Sequence, residues 1–318
     1  MPETIKLLSI DGGGIRGVIP AVLLAEIEKR TGKRTAQLFD LMAGTSTGGI
    51  LALALNKPGA DGKPQYSAEE LVSFYIEQGE RIFTRTMWHK LASAGSLIDS
   101  KFPASGIEQV LDEFFGDARL RDAVTEVVVT SYEIERRQPF LFKSANAMLV
   151  PSYDFPMKQV ARATSAAPTY FEPLKIPVAG TTDYFALIDG GVYANNPALC
   201  AVVEARTRHP LADDYMVLSL GTGELTRRIP YEDARKWGVA GWAKPLLDIV
   251  FDGVSGTVDY QLRKILPNYH RFQTTLQPDQ QQMDQTGAGH LRELKLAAEH
   301  FVRDRSPEID EVCEKLVG

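Results

Sequence analysis

Apolar and polar positions along the chain fall into two alternating periods, one of strands and one of helices. Residues 5–10 read Ile-Lys-Leu-Leu-Ser-Ile, a strand that runs straight into glycines. Residues 18–30 follow with apolar side chains at helical spacing, Pro20 in the first turn and Gly32 as the stop. The apolar run 38–43 passes through a second glycine turn into an apolar helix at 49–55. Beyond a polar turn at 58–64, the spacing predicts amphipathic helices over 68–79 and 105–115, the second ended by Gly116. Residues 124–130 and 139–142 read as strands, 157–167 as a helix, 184–188 as a strand, 197–207 as a helix and 216–220 as a strand. After about residue 225 the pattern is mostly helical.

This alternation predicts an α/β fold with a mostly parallel central sheet flanked by helices. Glycine turns follow several of the strands, where ligands collect in such sheets. No linker, repeat or low-complexity tract interrupts the chain. The expectation is one domain over 1–318, with a core at about 5–225 and a helical C-terminal extension at about 226–318.

Composition narrows the function. The 318 residues are 44% apolar and 24% charged, ordinary for a globular chain. A net charge of -6 argues against a nucleic-acid partner, which asks for a basic stripe. Cys200 and Cys313 allow at most one bridge and suggest no metal site, and Cys200 is expected in the core. The chain starts directly in a strand, without a basic segment and apolar stretch, and no apolar run approaches the ~20 residues that span a bilayer. A cytoplasmic protein, peripheral at a membrane at most, is expected.

Three motifs carry the candidate chemistry. Gly44-Thr45-Ser46-Thr47-Gly48 lies between a predicted strand and helix, the context of a nucleophile elbow. A serine hydroxyl needs a base, and none of His89, His209, His270, His290 and His300 follows a strand among small residues. Asp189 does better: it ends an apolar strand, and Gly190 and Gly191 after it leave its carboxylate little steric cover. Desolvation there would raise its pKa and make it a more effective general base. The competing reading of Asp-Gly-Gly is a plain turn. In Asp11-Gly12-Gly13-Gly14-Ile15-Arg16-Gly17, the backbone N–H groups of Gly12, Gly13 and Gly14 would form an oxyanion hole at a helix start. Arg16 would add charge there or, the favoured role, hold the loop in shape. Gly12, Gly14 and Gly17 also satisfy a dinucleotide fingerprint, with Asp40 as its acidic residue. An oxidoreductase of that kind gives no role to Ser46 or Asp189, so the hydrolase reading is preferred.

With these residues in order, the chain resembles the patatin-like phospholipases. That family carries Asp-Gly-Gly-Gly-x-Arg-Gly, Gly-x-Ser-x-Gly and Asp-Gly-Gly/Ala in this sequence, matched here at 11–17, 44–48 and 189–191. Residues 163–171, Asn195-Asn196-Pro197 and 219–223 also resemble it. The resemblance implies a three-layer sandwich and a Ser46–Asp189 dyad without a catalytic histidine. It further implies hydrolysis of fatty acyl esters of phospholipids through an acyl-serine intermediate, with no metal or cofactor. Close alternatives are a general carboxylesterase and a ligand-activated effector or toxin that degrades membranes.

Residues 237–251, with Trp237 and Trp242 among aliphatics, are a candidate for transient membrane contact, although packing against the sheet is the favoured reading. Residues 83–102 are a candidate lid. The sequence leaves acyl-chain length, head group, activating ligand and oligomeric state open.

Overall fold

The computed structural model describes residues 4–82, 103–178, 180–226 and 228–318. The lid candidate at 83–102 and His89 lie outside them. The chain opens as β1 (Thr4–Ile10), α1 (Val18–Thr31), β2 (Leu41–Thr45), α2 (Thr47–Asn56), α3 (Ala68–Ile82) and α4 (Ala104–Phe115). It continues as β3 (Glu126–Glu133), β4 (Gln138–Lys143), α5 (Ser144–Leu149), α6 (Met157–Thr164), β5 (Leu174–Pro177) and β6 (Tyr184–Asp189). The remainder is α7 (Gly191–Ala194), α8 (Ala198–Arg208), β7 (Asp214–Leu220), α9 (Tyr231–Ala234), α10 (Val239–Ile265), β8 (Tyr269–Phe272), α11 (Ala288–Asp304) and α12 (Ser306–Val317).

The strands form one sheet in the order β5-β6-β3-β2-β1-β7-β8, with β4 paired to β3 outside that path. Pairings from β3 through β2, β1 and β7 to β8 are parallel, and those of β3 with β4, β3 with β6 and β5 with β6 are antiparallel. Central β1 is buried on both faces, with its apolar residues Ile5, Leu7, Leu8 and Ile10 divided between them. Leu8 and Ile10 face a large core with α1, α2, α3, α4, α6, α11 and α12, whereas Ile5 and Leu7 face a smaller one with α8 and the end of α10. The result is the helix–sheet–helix layering the alternation predicts.

Three local differences have clear causes. β2 starts at Leu41 rather than residue 38, because 35–37 coil into a 3-10 turn and the Asp40 N–H joins the Lys6 carbonyl at 2.8 Å. The helix predicted to run to 167 stops at Thr164, where the Ser165 hydroxyl bonds back to the Ala161 carbonyl at 2.8 Å and Pro168 lies ahead. The C-terminal region, expected as a helical extension, also returns β8 to the sheet beside β7, with Phe272 opposite Leu220. Among the described residues no helix is long and apolar enough to cross a membrane.

Candidate active site

Strand β3 explains how Ser46 and Asp189 meet. β4 occupies one edge of β3 along residues 128–133. On the other edge β2 pairs as far as Thr45 with Thr130, and β6 arrives from the opposite direction, pairing Asp189 with Ser131. β2 and β6 thus end head to head at consecutive positions of β3, and the residues leaving them share a cavity. β1 contributes the third part: Ile10 lies opposite Gly44, so the glycine loop after β1 runs beside the elbow after β2.

Ser46 has φ 55° and ψ -123°, backbone that L residues rarely adopt, between β2 and α2. The strain is held from several sides. The Ser46 N–H donates to Thr164 Oγ1 at 2.8 Å, and that hydroxyl donates to the Thr130 carbonyl at 2.7 Å. A Cβ on Gly44 would strike the backbone of Gly48, and one on Gly48 would strike the Ile10 carbonyl. Both glycines are therefore required by close approach of the chain to itself.

Asp189 is buried, and its Oδ1 accepts the Gly191 N–H at 2.8 Å. Burial raises its pKa from 3.8 to about 7, while hydrogen bonding from Ser46 and the Gly191 N–H acts in the opposite direction. Gly190 packs against Thr130 with no room for a side chain.

In the glycine loop the Gly12 N–H donates to the Asn195 carbonyl at 3.0 Å, and Thr222 Oγ1 donates to the Gly12 carbonyl at 2.7 Å. Gly12, expected among the oxyanion donors, therefore has its N–H engaged. The N–H groups of Gly13, Gly14 and Thr47 have no backbone partner among the described residues. Gly14 takes φ 60°, and the next residue, Ile15, donates its N–H to the Met283 carbonyl at 2.9 Å. Arg16 is buried, its Nε donates to the Gly13 carbonyl at 3.2 Å, and Asp252 and Asp248 lie close enough to act on its charge. Gly17 packs against Thr47 and Tyr75.

The loop is anchored at its base by Asp11. Its two oxygens accept Arg271 Nη1 at 2.9 Å and Nη2 at 2.5 Å, and Arg271 also donates to Ser219 Oγ at 2.9 Å. Both partners are buried, and Arg271 comes from β8.

The cavity has a volume of about 60 Å³. Ser46, Asp189, Gly13, Gly14 and Asn195 meet there, and its walls include Ile15, Ile50, Ile107, Phe171, Phe251 and Met283. Apolar walls strengthen every electrostatic interaction inside. No histidine lines the cavity among the described residues. Asp40 stands at the opposite end of the strands, its carboxylate accepting the Lys6 N–H at 2.7 Å, so the dinucleotide fingerprint lacks its acidic partner. Cys200, expected in the core, is only half-buried, and both cysteines are free.

Residues 8–202 match the family described as Patatin-like phospholipase. "Patatin-like protein 4" of Arabidopsis thaliana is 34% identical over 333 residues, covering 94% of this chain and 83% of its own. The chain belongs to the patatin-like phospholipase family. That membership supports a lipid hydrolase. "Probable inactive patatin-3-Kuras 1" of Solanum tuberosum is 33% identical over 302 residues (85% of this chain, 79% of its own), so membership alone does not establish activity. Among solved structures, VipD from Legionella pneumophila aligns with TM-score 0.35 and 11% identity over 94% of this chain and 67% of that one.

Several residues that hold this patatin-like site were not singled out for chemistry in the sequence. Thr164, Asn195 and Thr222 stand in stretches whose family likeness was visible, but their contacts with the Ser46 and Gly12 backbones depend on tertiary folding. Arg271 had no signal, since 260 residues separate it from Asp11.

Proposed function

We propose that the protein hydrolyses fatty acyl esters of phospholipids, with Ser46 as nucleophile and Asp189 as general base. The observation that carries this reading is the meeting of a strained serine elbow and a buried carboxylate of raised pKa in one apolar cavity. Ser46 Oγ attacks the ester carbonyl carbon while its proton passes to Asp189. The carbonyl oxygen becomes an oxyanion facing the N–H groups of Gly13 and Gly14, which have no backbone partner among the described residues, with Thr47, the residue after the nucleophile, as a third donor. Collapse breaks the bond to the leaving alkoxide, which takes the proton from Asp189 and leaves an acyl-serine. Water then repeats the sequence, giving up its proton to Asp189, and the fatty acid departs as Ser46 recovers its hydrogen.

The test is fatty-acid release from phosphatidylcholine vesicles and cleavage of a short-chain nitrophenyl ester, by wild type and by Ser46→Ala and Asp189→Asn. Both activities should be present in wild type and fall by on the order of 10⁴-fold in Ser46→Ala and 10²-fold or more in Asp189→Asn. Ester cleavage without phospholipid cleavage would redirect the assignment to a general carboxylesterase or one needing an activator. Activity retained in Ser46→Ala would sink the mechanism.

A further inference from the structure

Helix α10 presents two unlike faces. Inward, Phe251 is buried and forms part of the catalytic cavity wall, and Pro245, Asp248 and Asp252 line an adjoining cleft that shares Tyr170 and Met283 with that cavity. Outward, Val239, Trp242 and Leu246 recur at three- and four-residue intervals and are 92%, 37% and 51% exposed, while Ile249, 40% exposed, stands at the border and also lines the cleft. At 100° per residue, Leu246 and Phe251 point roughly 140° apart. Gly253, Gly256 and exposed Tyr260 continue the stripe, and the first two have open space where a side chain would stand. Packing against the sheet, the favoured expectation for this segment, fails for the stripe, and Phe251 is buried beside Gly191 at the cavity.

Single exposed apolar residues need no explanation, whereas a stripe of them along one helix face does. We propose that the outer face of α10 is the surface on which the protein lies on a phospholipid bilayer. The inference rests on the acyl-lipid hydrolase reading above, because the substrate's own phase supplies the occupant. The helix that contributes Phe251 to the cavity wall is the one whose other side is exposed and apolar, so docking would bring the bilayer against a helix that walls the cavity. The chemistry of the stripe fits that occupant. Trp242 packs edge-on to Trp237 at 5.2 Å between ring centroids, and Tyr231 is exposed just upstream, which supplies amphipathic aromatics suited to the headgroup boundary. Arg228, Arg235 and Lys236 are exposed before the stripe and supply cations for lipid phosphates, among exposed Glu232 and Asp233, with Arg235 paired to Glu232 at 3.1 Å.

The test is co-sedimentation of the full chain with vesicles of phosphatidylcholine and phosphatidylglycerol, alongside cleavage of soluble nitrophenyl butyrate. Val239→Ser with Leu246→Ser touches neither cavity wall. It should lower vesicle partition and vesicle hydrolysis about tenfold, with the soluble-ester rate and the melting temperature unchanged. Gly253→Leu extends the stripe into open space and should raise partition several-fold, which keeps the test decisive if the double variant misfolds. Wild type that does not partition, or variants that partition like wild type, would overturn the docking surface. Wild-type self-association abolished by the double variant, without vesicle binding, would overturn it in favour of a second copy of the chain. Soluble-ester cleavage in wild type separates these outcomes from failure of the hydrolase reading, which would abolish that cleavage as well.

Discussion

Asp189 occupies a place where a charged carboxylate is unfavourable: it is buried, and its pKa is raised to about 7. Two expectations follow at the scale of this one residue. A general base must be ionised, so kcat/KM on a soluble ester should rise with pH through about 7 and level off above it. A profile flat from pH 5 to 9 would remove Asp189 from that role. The same shift bears on stability. With the folded pKa above the unfolded value, the native state binds more protons between pH 3.8 and about 7, and stability from this group falls as pH rises through that window. Asp189→Asn should therefore be more stable than wild type at pH 8, by as much as about 4 kcal/mol for a shift of that size, with the gain vanishing near pH 4. Urea unfolding at the two pH values checks this. Ser46 and Asp189 were both legible in the sequence, because small residues around a serine and an aspartate after a strand are local signals. The engagement of the Gly12 N–H was not, because its acceptor, Asn195, lies far along the chain.

At the scale of elements, the site depends on where strands stop. β2 and β6 end against neighbouring residues of β3, and β8 delivers Arg271 to the base of the glycine loop. Arg271→Ala would leave Asp11 buried without its partner and should cost about 3–5 kcal/mol in urea unfolding. A loss under 1 kcal/mol would mean that other contacts hold the loop. Helix and strand order was readable from periodicity over most of the chain, and the boundaries that moved did so through side-chain or tertiary hydrogen bonds such as those of Ser165 and Asp40. Strand β8 was missed because four residues between helices carry no period of their own.

At the scale of the whole molecule, the residues after about 225 are built into the fold. They supply the terminal strand β8, the Met283 carbonyl that fixes Ile15, and core residues including Leu291, Leu294, Ile309 and Val312. A chain ending at residue 225 would expose β7 as an edge and open the core beside α1, so it should lack the cooperative melt of the 318-residue chain. A truncated chain that melts cooperatively and keeps esterase activity would make the C-terminal part a true extension. The central claim, an acyl-serine formed on Ser46, is tested most directly by mass-spectrometric mapping of the adduct left by a long-chain alkyl fluorophosphonate. One adduct is expected, on the peptide carrying Ser46, absent in Ser46→Ala and formed far more slowly in Asp189→Asn. An adduct on another residue, or ester hydrolysis that survives with Ser46 unmodified, would contradict it.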